Sequence, residues 1–259
     1  MESLKIIKIG GEVINNDKLL LKFIHDFSSI SGRKIMVHGG GKSVSSLSHK
    51  LGIIPTMKEG RRVTDAETLM LAVMVYSGWI NKRIVAGLQK HFCQAIGLCG
   101  ADFNTILANK RSAVPHDYGY VGDVEQVNSN WIIQLIESGI IPVFSAITHD
   151  GKGQLLNTNA DTIAASLASA LVNQYETSLY LTFEHQGVLA DPEEPDSLVP
   201  HLNPNGYKKL SDNGAISGGM IPKLDNGFSA LQQGVNKVII TSVNGLTSQQ
   251  NMHTELVLS

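Results

Sequence analysis

The stretch Lys34-Ile35-Met36-Val37-His38-Gly39-Gly40-Gly41-Lys42-Ser43 decides the fold. A short apolar run, Lys34–Val37, reads as a strand and feeds three glycines, and Lys42–Leu51 then looks helical. Upstream, Lys5–Ile9 reads as another strand. Between the two, Asp17–Ile30 places Leu19, Leu20, Phe23, Ile24 and Phe27 at helical spacing. Strand, helix, strand in that order is a βαβ unit, so a parallel sheet is expected. The glycine loop between a strand and a helix N-terminus offers unhindered N–H groups and the positive end of a helix dipole, which suits an anion. A tight packing turn would use the same glycines.

Two familiar nucleotide motifs fail at this loop. Gly41-Lys42-Ser43 matches the end of a P-loop, but the glycine needed five residues earlier is Met36. A dinucleotide fingerprint starting at Gly39 needs Gly or Ala at its sixth position and finds Val44. The first strand carries a related signal in Ile6-Ile7-Lys8-Ile9-Gly10-Gly11. A lysine on an apolar strand that ends in two glycines presents a cation and bare amides to something anionic. An edge strand with a snorkelling lysine is the plainer reading of those residues.

Outward from these strands, helix-like and strand-like runs alternate to the end. Residues 53–64 read as a hairpin or loop that leads out through Gly60-Arg61-Arg62-Val63-Thr64-Asp65. Ala66–Phe92 is a long helical run, apolar on nearly all sides around Leu69–Tyr76, which predicts burial against the core or a second subunit. Strands are predicted at Gln94–Leu98, Thr105–Ala108, Val121–Val127, Ile140–Ser145 and Ser178–Phe183, with helices at Ser129–Ser138 and Thr162–Val172. Pro192–Pro204 is a proline-rich loop. A short helix follows at Gly206–Asn213, another helix starts at Pro222, and Lys237–Thr241 closes the sheet. A chain division is expected after the helix that ends near Asn173, giving lobes 1–176 and 177–259.

Composition narrows the function classes. The chain has 259 residues and 42% hydrophobic content, enough for a sizeable core. Its 21 Lys and Arg against 23 Asp and Glu leave a net charge of −2, no electrostatic case for nucleic acid or an anionic membrane. Cys93 and Cys99, the two cysteines, fit neither a zinc pair nor a disulfide framework and read as reduced residues of a cytoplasmic protein. No apolar run reaches the roughly 18 residues of a membrane span.

Charges and bare amides thus gather at five places: Lys8 with Gly10 and Gly11, the Gly39–Gly41 loop, Arg62, Asn157 with Asp161, and Lys223 at a helix start. Phosphoryl transfer onto a carboxylate needs such parts, because both reactants are anionic. A carboxylate is already ionised near pH 7, so no general base is required.

In order, Lys8-Ile9-Gly10-Gly11, His38-Gly39-Gly40-Gly41, Gly60-Arg61-Arg62-Val63-Thr64, Asn157-Thr158-Asn159-Ala160-Asp161 and Gly218-Gly219-Met220-Ile221-Pro222-Lys223 resemble the acetylglutamate kinases, a branch of the amino acid kinase family. The similarity runs from about residue 4 to 242. It implies an α/β fold, a three-layer α/β/α sandwich around a mainly parallel open sheet. By the same resemblance Lys8 and Lys223 flank the transferring phosphoryl group, and Asp161 holds both lysines. Gly10, Gly11 and Gly41 give N–H groups to phosphates, with Thr182, Gly187 and Gly219 also on the nucleotide side. Gly40, Gly41, Arg62 and Asn157 bind an N-acylated glutamate. The resemblance further implies ATP as the donor, Mg2+ bridging its phosphates with no protein metal site, and the long helix as the contact of a homodimer. The family's arginine-inhibited hexamers carry an extra N-terminal helix, so a dimer without strong arginine inhibition is expected.

Three departures stand out. In Leu181-Thr182-Phe183-Glu184-His185-Gln186-Gly187 the family's usual aspartate is Phe183, and the loop is one residue longer; Phe183 covers the base or packs in the core. Phe103 stands where glycine is more usual. Arg61 precedes Arg62, where it either accommodates a charged acyl group such as succinyl or faces the surface. Other acids of the family (carbamate, aspartate, glutamate, a nucleotide monophosphate) and a non-catalytic sensor are the alternatives.

Overall fold

The computed structural model describes residues 1–58, 61–194, 196–246 and 253–259. β1 (Glu2–Ile9) opens the chain, with Leu4, Ile6, Ile7 and Ile9 fully buried, so both its faces are covered. A five-residue helix, α1 (Gly11–Asn15), follows at once; α2 (Asp17–Ser29) then starts at Asn16, whose side chain accepts from the N–H groups of Lys18 and Leu19. α2 buries Leu20, Phe23, Ile24 and Phe27, the face predicted by their spacing. β2 (Arg33–His38) returns parallel to β1, and α3 (Gly41–Lys50) leaves directly from the glycine loop.

β3 (Met57–Lys58) and β4 (Arg61–Arg62) form an antiparallel pair, the hairpin expected in 53–64. Gly60 and the Arg61 side chain lie outside the described residues, as does Pro195 of the proline-rich loop. The long helical run is α4 (Ala66–Val73), a π-helical segment over Met74–Ile80, and α5 (Asn81–Lys90), continuous in sequence. The wider π turn re-aims the side chains that follow it.

Next come β5 (Ala95–Leu98), β6 (Ile106–Lys110), β7 (Val121–Val127), α6 (Ser129–Glu137), β8 (Ile141–Ser145), β9 (Ile147–His149) and β10 (Leu155–Thr158). β6, β7, β9 and β10 close into a small separate barrel, which the strand pattern did not distinguish from the main sheet. The chain continues with α7 (Ala160–Ala170), β11 (Tyr175–Phe183), β12 (His201–Leu202), α8 (Pro204–Asp212), α9 (Met220–Gln232), β13 (Lys237–Ser242) and β14 (His253–Leu256). Pro222 is the third residue of α9 rather than its first, still within the turn whose N–H groups have no helical acceptor.

The central sheet, the middle layer of an α/β/α sandwich, runs β12-β14-β13-β11-β1-β2-β8-β5. Its pairings are parallel except β13 with β14. The sequence predicts that the strand at Lys237–Thr241 closes the sheet; instead β14 and β12 extend the sheet beyond β13. β1 sits between β2 and β11, so the sheet is continuous across residues 176 and 177, which both lie within β11. The C-terminal ends of β1, β2 and β11 meet near the middle of the sheet, where open α/β sheets place their ligands.

Candidate active site

Lys8 lies near the C-terminal end of β1, between Leu181 of β11 and Val37 of β2 in register. Its Nζ stands 2.8 Å from Asp161 Oδ1. Asp161 is in the first turn of α7, which suits a carboxylate, and Asn159 caps that helix by accepting from the N–H groups of Asp161 and Thr162. Lys223 Nζ, from the first turn of α9, donates to the same Oδ1 at 3.0 Å. A cation in a helix's first turn opposes the dipole, so this position is held by the aspartate rather than by local preference. All three side chains are buried, Lys8 at 8%, Asp161 at 6% and Lys223 at 4% exposure.

The electrostatics follow from that arrangement. Burial raises the Asp161 pKa, but attraction and hydrogen bonds from Lys8 and Lys223 outweigh it and bring it down to about 2. Burial, then repulsion from Lys8, lowers Lys223 to about 8 although Asp161 opposes the shift. The cluster is two ammonium groups on one carboxylate, with N–H donors to spare for a further anion.

Around it, the Gly10 N–H donates to Thr182 Oγ1 at 3.2 Å, tying β1 to β11 beside the lysines. Phe183 presents its ring to Lys223, 5.8 Å from Nζ to centroid, and packs against the core. Gly219 is the N-cap residue of α9. Gly187 packs closely against Leu198 and Thr254. The Gly11 carbonyl accepts from Asn15 Nδ2, and Asn15 Oδ1 accepts from Ser43 Oγ at 2.6 Å, which links the two glycine loops.

At the second loop, Arg62 Nη2 donates to the Gly41 carbonyl at 3.0 Å and to Ser45 Oγ at 2.6 Å. Its Nη1 is buried without a hydrogen-bond partner. A buried guanidinium N–H left unpaired is costly, and a carboxylate is its natural forked partner. The Asn157 amide donates to Thr64 Oγ1 at 3.1 Å, which ties it to the segment that carries Arg62. Gly39 lies close to Ala160, next to Asp161, so the loop and the lysine cluster adjoin.

Sequence reasoning missed three supports of the site. His38 and Asn81 are buried beneath the loop, Nε2 to Nδ2 at 3.1 Å, and Tyr76 closes over Gly40 and Gly41. Residues spaced this far apart carry no local pattern, although a histidine inside an otherwise apolar strand end was visible. Among the described residues no three His, Cys, Asp or Glu side chains converge on a metal position. The one carboxylate in the cluster is already committed to two ammonium groups. A magnesium ion arriving with nucleotide would take its oxygens from phosphates and water.

Comparison with known proteins agrees with this architecture. The sequence profile of the amino acid kinase family matches residues 3–242. The acetylglutamate kinase of Phocaeicola vulgatus is 49% identical over 245 residues, covering 95% of both chains. That of Cytophaga hutchinsonii is 49% identical over 252 residues, covering 97% of this chain and 96% of its own. The carbamate kinase of Giardia lamblia bound to AMP-PNP superposes with a TM-score of 0.70 at 15% identity, over 100% of this chain and 99% of that one, which shows the shared fold. With its profile matched from residue 3 to 242 and relatives at nearly half identity along almost their whole length, the chain belongs to the amino acid kinase family.

Proposed function

We propose that this protein is an ATP-dependent kinase that phosphorylates the side-chain carboxylate of N-acetyl-L-glutamate to an acyl phosphate, a step of arginine biosynthesis. The observation that carries the mechanism is the pair of buried lysines on Asp161 Oδ1, in a chain closely similar to acetylglutamate kinases. The substrate carboxylate attacks the terminal phosphorus of ATP, and the bond to the ADP oxygen breaks. The nucleophile is ionised at neutral pH and needs no base. Lys8 and Lys223 stabilise the charge on the transferring group and on the leaving oxygen. Asp161, ionised throughout, acts by holding both ammonium groups rather than by moving a proton.

Gly10, Gly11 and Gly41 line the phosphate path, with Thr182, Gly187 and Gly219 on the nucleotide side. The close approach of Gly187 to Leu198 and Thr254 favours a packing role for it, and the Gly10 amide anchors β1 through Thr182. Arg62, with Nη1 unpaired, takes a substrate carboxylate, assisted by Gly40 and Asn157. Mg2+ bound to the nucleotide would offset phosphate charge, with Asp161 left to hold Lys8 and Lys223. Residues 1–176 carry the acylglutamate and 177–259 the nucleotide.

The enzyme works in the cytoplasm as a homodimer in this reading. Met70 and Met74, each about half exposed on the α4 side, support a second subunit there. No helix among the described residues is long and apolar enough to cross a membrane.

The test is a hydroxamate assay with ATP across N-acetylglutamate, N-succinylglutamate, glutamate, aspartate and carbamate. Turnover restricted to N-acetylglutamate supports the proposal. Preference for the succinyl compound, lost in Arg61→Ala, would move the reading to the charged acyl group. ATP binding with no turnover of any acid would favour a sensor.

A further inference from the structure

The floor of the glycine loop holds a buried histidine that the reaction itself does not use. His38, the last residue of β2, has no solvent exposure. Asn81 Nδ2 donates to the Val143 carbonyl at 2.9 Å and also faces His38 Nε2 at 3.1 Å. Its Oδ1 accepts from Lys82 Nζ at 3.2 Å, so the amide can stand only one way round. His38 Nε2 is therefore an acceptor. A neutral imidazole that accepts at Nε2 carries its proton on Nδ1, and Nδ1 lies 2.9 Å from the Gly39 carbonyl oxygen. Burial keeps the ring neutral, lowering its pKa to about 4 against the smaller opposing effect of the Gly39 bond.

The consequence lies one peptide further on. In a trans peptide the C=O and the next N–H point in opposite directions. A Gly39 carbonyl drawn down to His38 therefore turns the Gly40 N–H up and away from the core. Gly40 has φ 153°, a conformation that side chains rarely adopt, and a Cβ there would stand 2.4 Å from Ile80 Cδ1 and 2.9 Å from Tyr76 Cδ1. Tyr76 and Ile80 belong to the π-helical segment, and Asn81 follows it directly. The π-helical segment holds the loop by sterics, and Asn81, the residue directly after it, holds it by hydrogen bonding through His38. Gly97 leaves the room this requires, since a Cβ on it would lie 1.7 Å from Asn81 Oδ1.

We infer that His38, locked in one tautomer by Asn81, is a positioning residue that flips the Gly39–Gly40 peptide so that the Gly40 N–H faces the anionic group of the acylglutamate. This rests on the proposed function for the identity of the anion. The tautomer itself does not depend on it.

Two measurements test the inference. Long-range 1H–15N correlation spectra of the wild-type protein at pH 7 should show His38 neutral with its proton on Nδ1. An Nε2–H tautomer or an imidazolium would overturn the proposal. Steady-state kinetics then compare His38→Asn, whose amide nitrogen takes the place of Nδ1, with His38→Gln, whose nitrogen takes the place of Nε2. His38→Gln should raise KM for N-acetylglutamate about tenfold, the loss of one hydrogen bond to a charged group. KM for ATP should change less than about twofold, and His38→Asn should stay near wild type. Equal kinetics for the two variants, or parallel rises in both KM values, would overturn it. A wild-type protein inactive on N-acetylglutamate would remove the functional reading instead, and the tautomer spectrum would still decide the positioning claim.

Discussion

Lys223, in the first turn of α9, donates to the same Asp161 oxygen that Lys8 reaches from β1, at 3.0 Å and 2.8 Å. Two buried cations on one carboxylate leave a net positive charge in the interior. Such a cluster is poorly suited to stabilising a fold and well suited to receiving an anion.

Removing the carboxylate should therefore damage stability as well as rate. Asp161→Asn leaves two buried ammonium groups facing each other, and a cost of about 3–5 kcal/mol in urea unfolding is expected. Adding Lys223→Met in that background should recover part of the stability and none of the activity. An Asp161→Asn protein as stable as wild type would mean the cluster is hydrated or rearranged.

The Lys223 pKa of about 8, lowered first by burial and then by Lys8, sets a pH dependence. In the proposed mechanism the ammonium form is the active one, so kcat/KM of the free enzyme should fall above about pH 8, tenfold per unit. Stability moves the other way. The unfolded lysine titrates near its ordinary 10.5, so from about 8 to 10.5 the unfolded chain binds more protons and this group's contribution to stability rises with pH. Asp161 contributes stability that is present above its ordinary 3.8 and lost as pH falls through about 2. An alkaline limb unchanged in Lys223→Arg would assign it to another group.

Arg62 donates to Gly41 and Ser45 through Nη2 and keeps Nη1 unpaired. Arg62→Lys should preserve the charge and lose the fork, raising KM for N-acetylglutamate about 10–100-fold, the worth of a charge-assisted hydrogen bond. KM for ATP should hardly move. Initial-rate measurements with each substrate varied in turn separate the two.

Gly40 tests the loop by sterics. Gly40→Ala drives a methyl group into Ile80, and overpacking of this kind costs about 1–3 kcal/mol before any backbone strain. A lowered Tm with weakened acylglutamate binding is expected. Ile80→Ala in the same chain should restore part of the binding, as judged by calorimetric titration. Full retention of binding in Gly40→Ala alone would mean that the loop is not held as described.

Much of this architecture was legible in the sequence, for identifiable reasons. Lys8 stood out as a lysine in an apolar strand and Lys223 as a charge near glycines at a helix start, whereas Asp161 obeys the first-turn preference for a carboxylate and was marked only by the order of the motifs. The α2 face was readable from spacing alone. The barrel of β6, β7, β9 and β10 was not, because short strands look alike whichever sheet they join. α1 escaped because it is five residues long and opens on Gly11, a poor helix former. His38 and Asn81 meet across 43 positions, a partnership that only the folded sheet creates. Phe103, noted where glycine is usual, does adopt a positive φ of 53° and stacks on Trp131 at 5.1 Å between ring centroids.

Lys8→Met, assayed with ATP and N-acetylglutamate in the presence of hydroxylamine, tests the central claim most directly. The wild-type protein should form the hydroxamate. The variant should lose about 3–4 kcal/mol of transition-state stabilisation, a fall in kcat of some 10²–10³-fold with KM little changed. A variant as fast as wild type, or a wild-type protein that forms no hydroxamate from N-acetylglutamate, would contradict it.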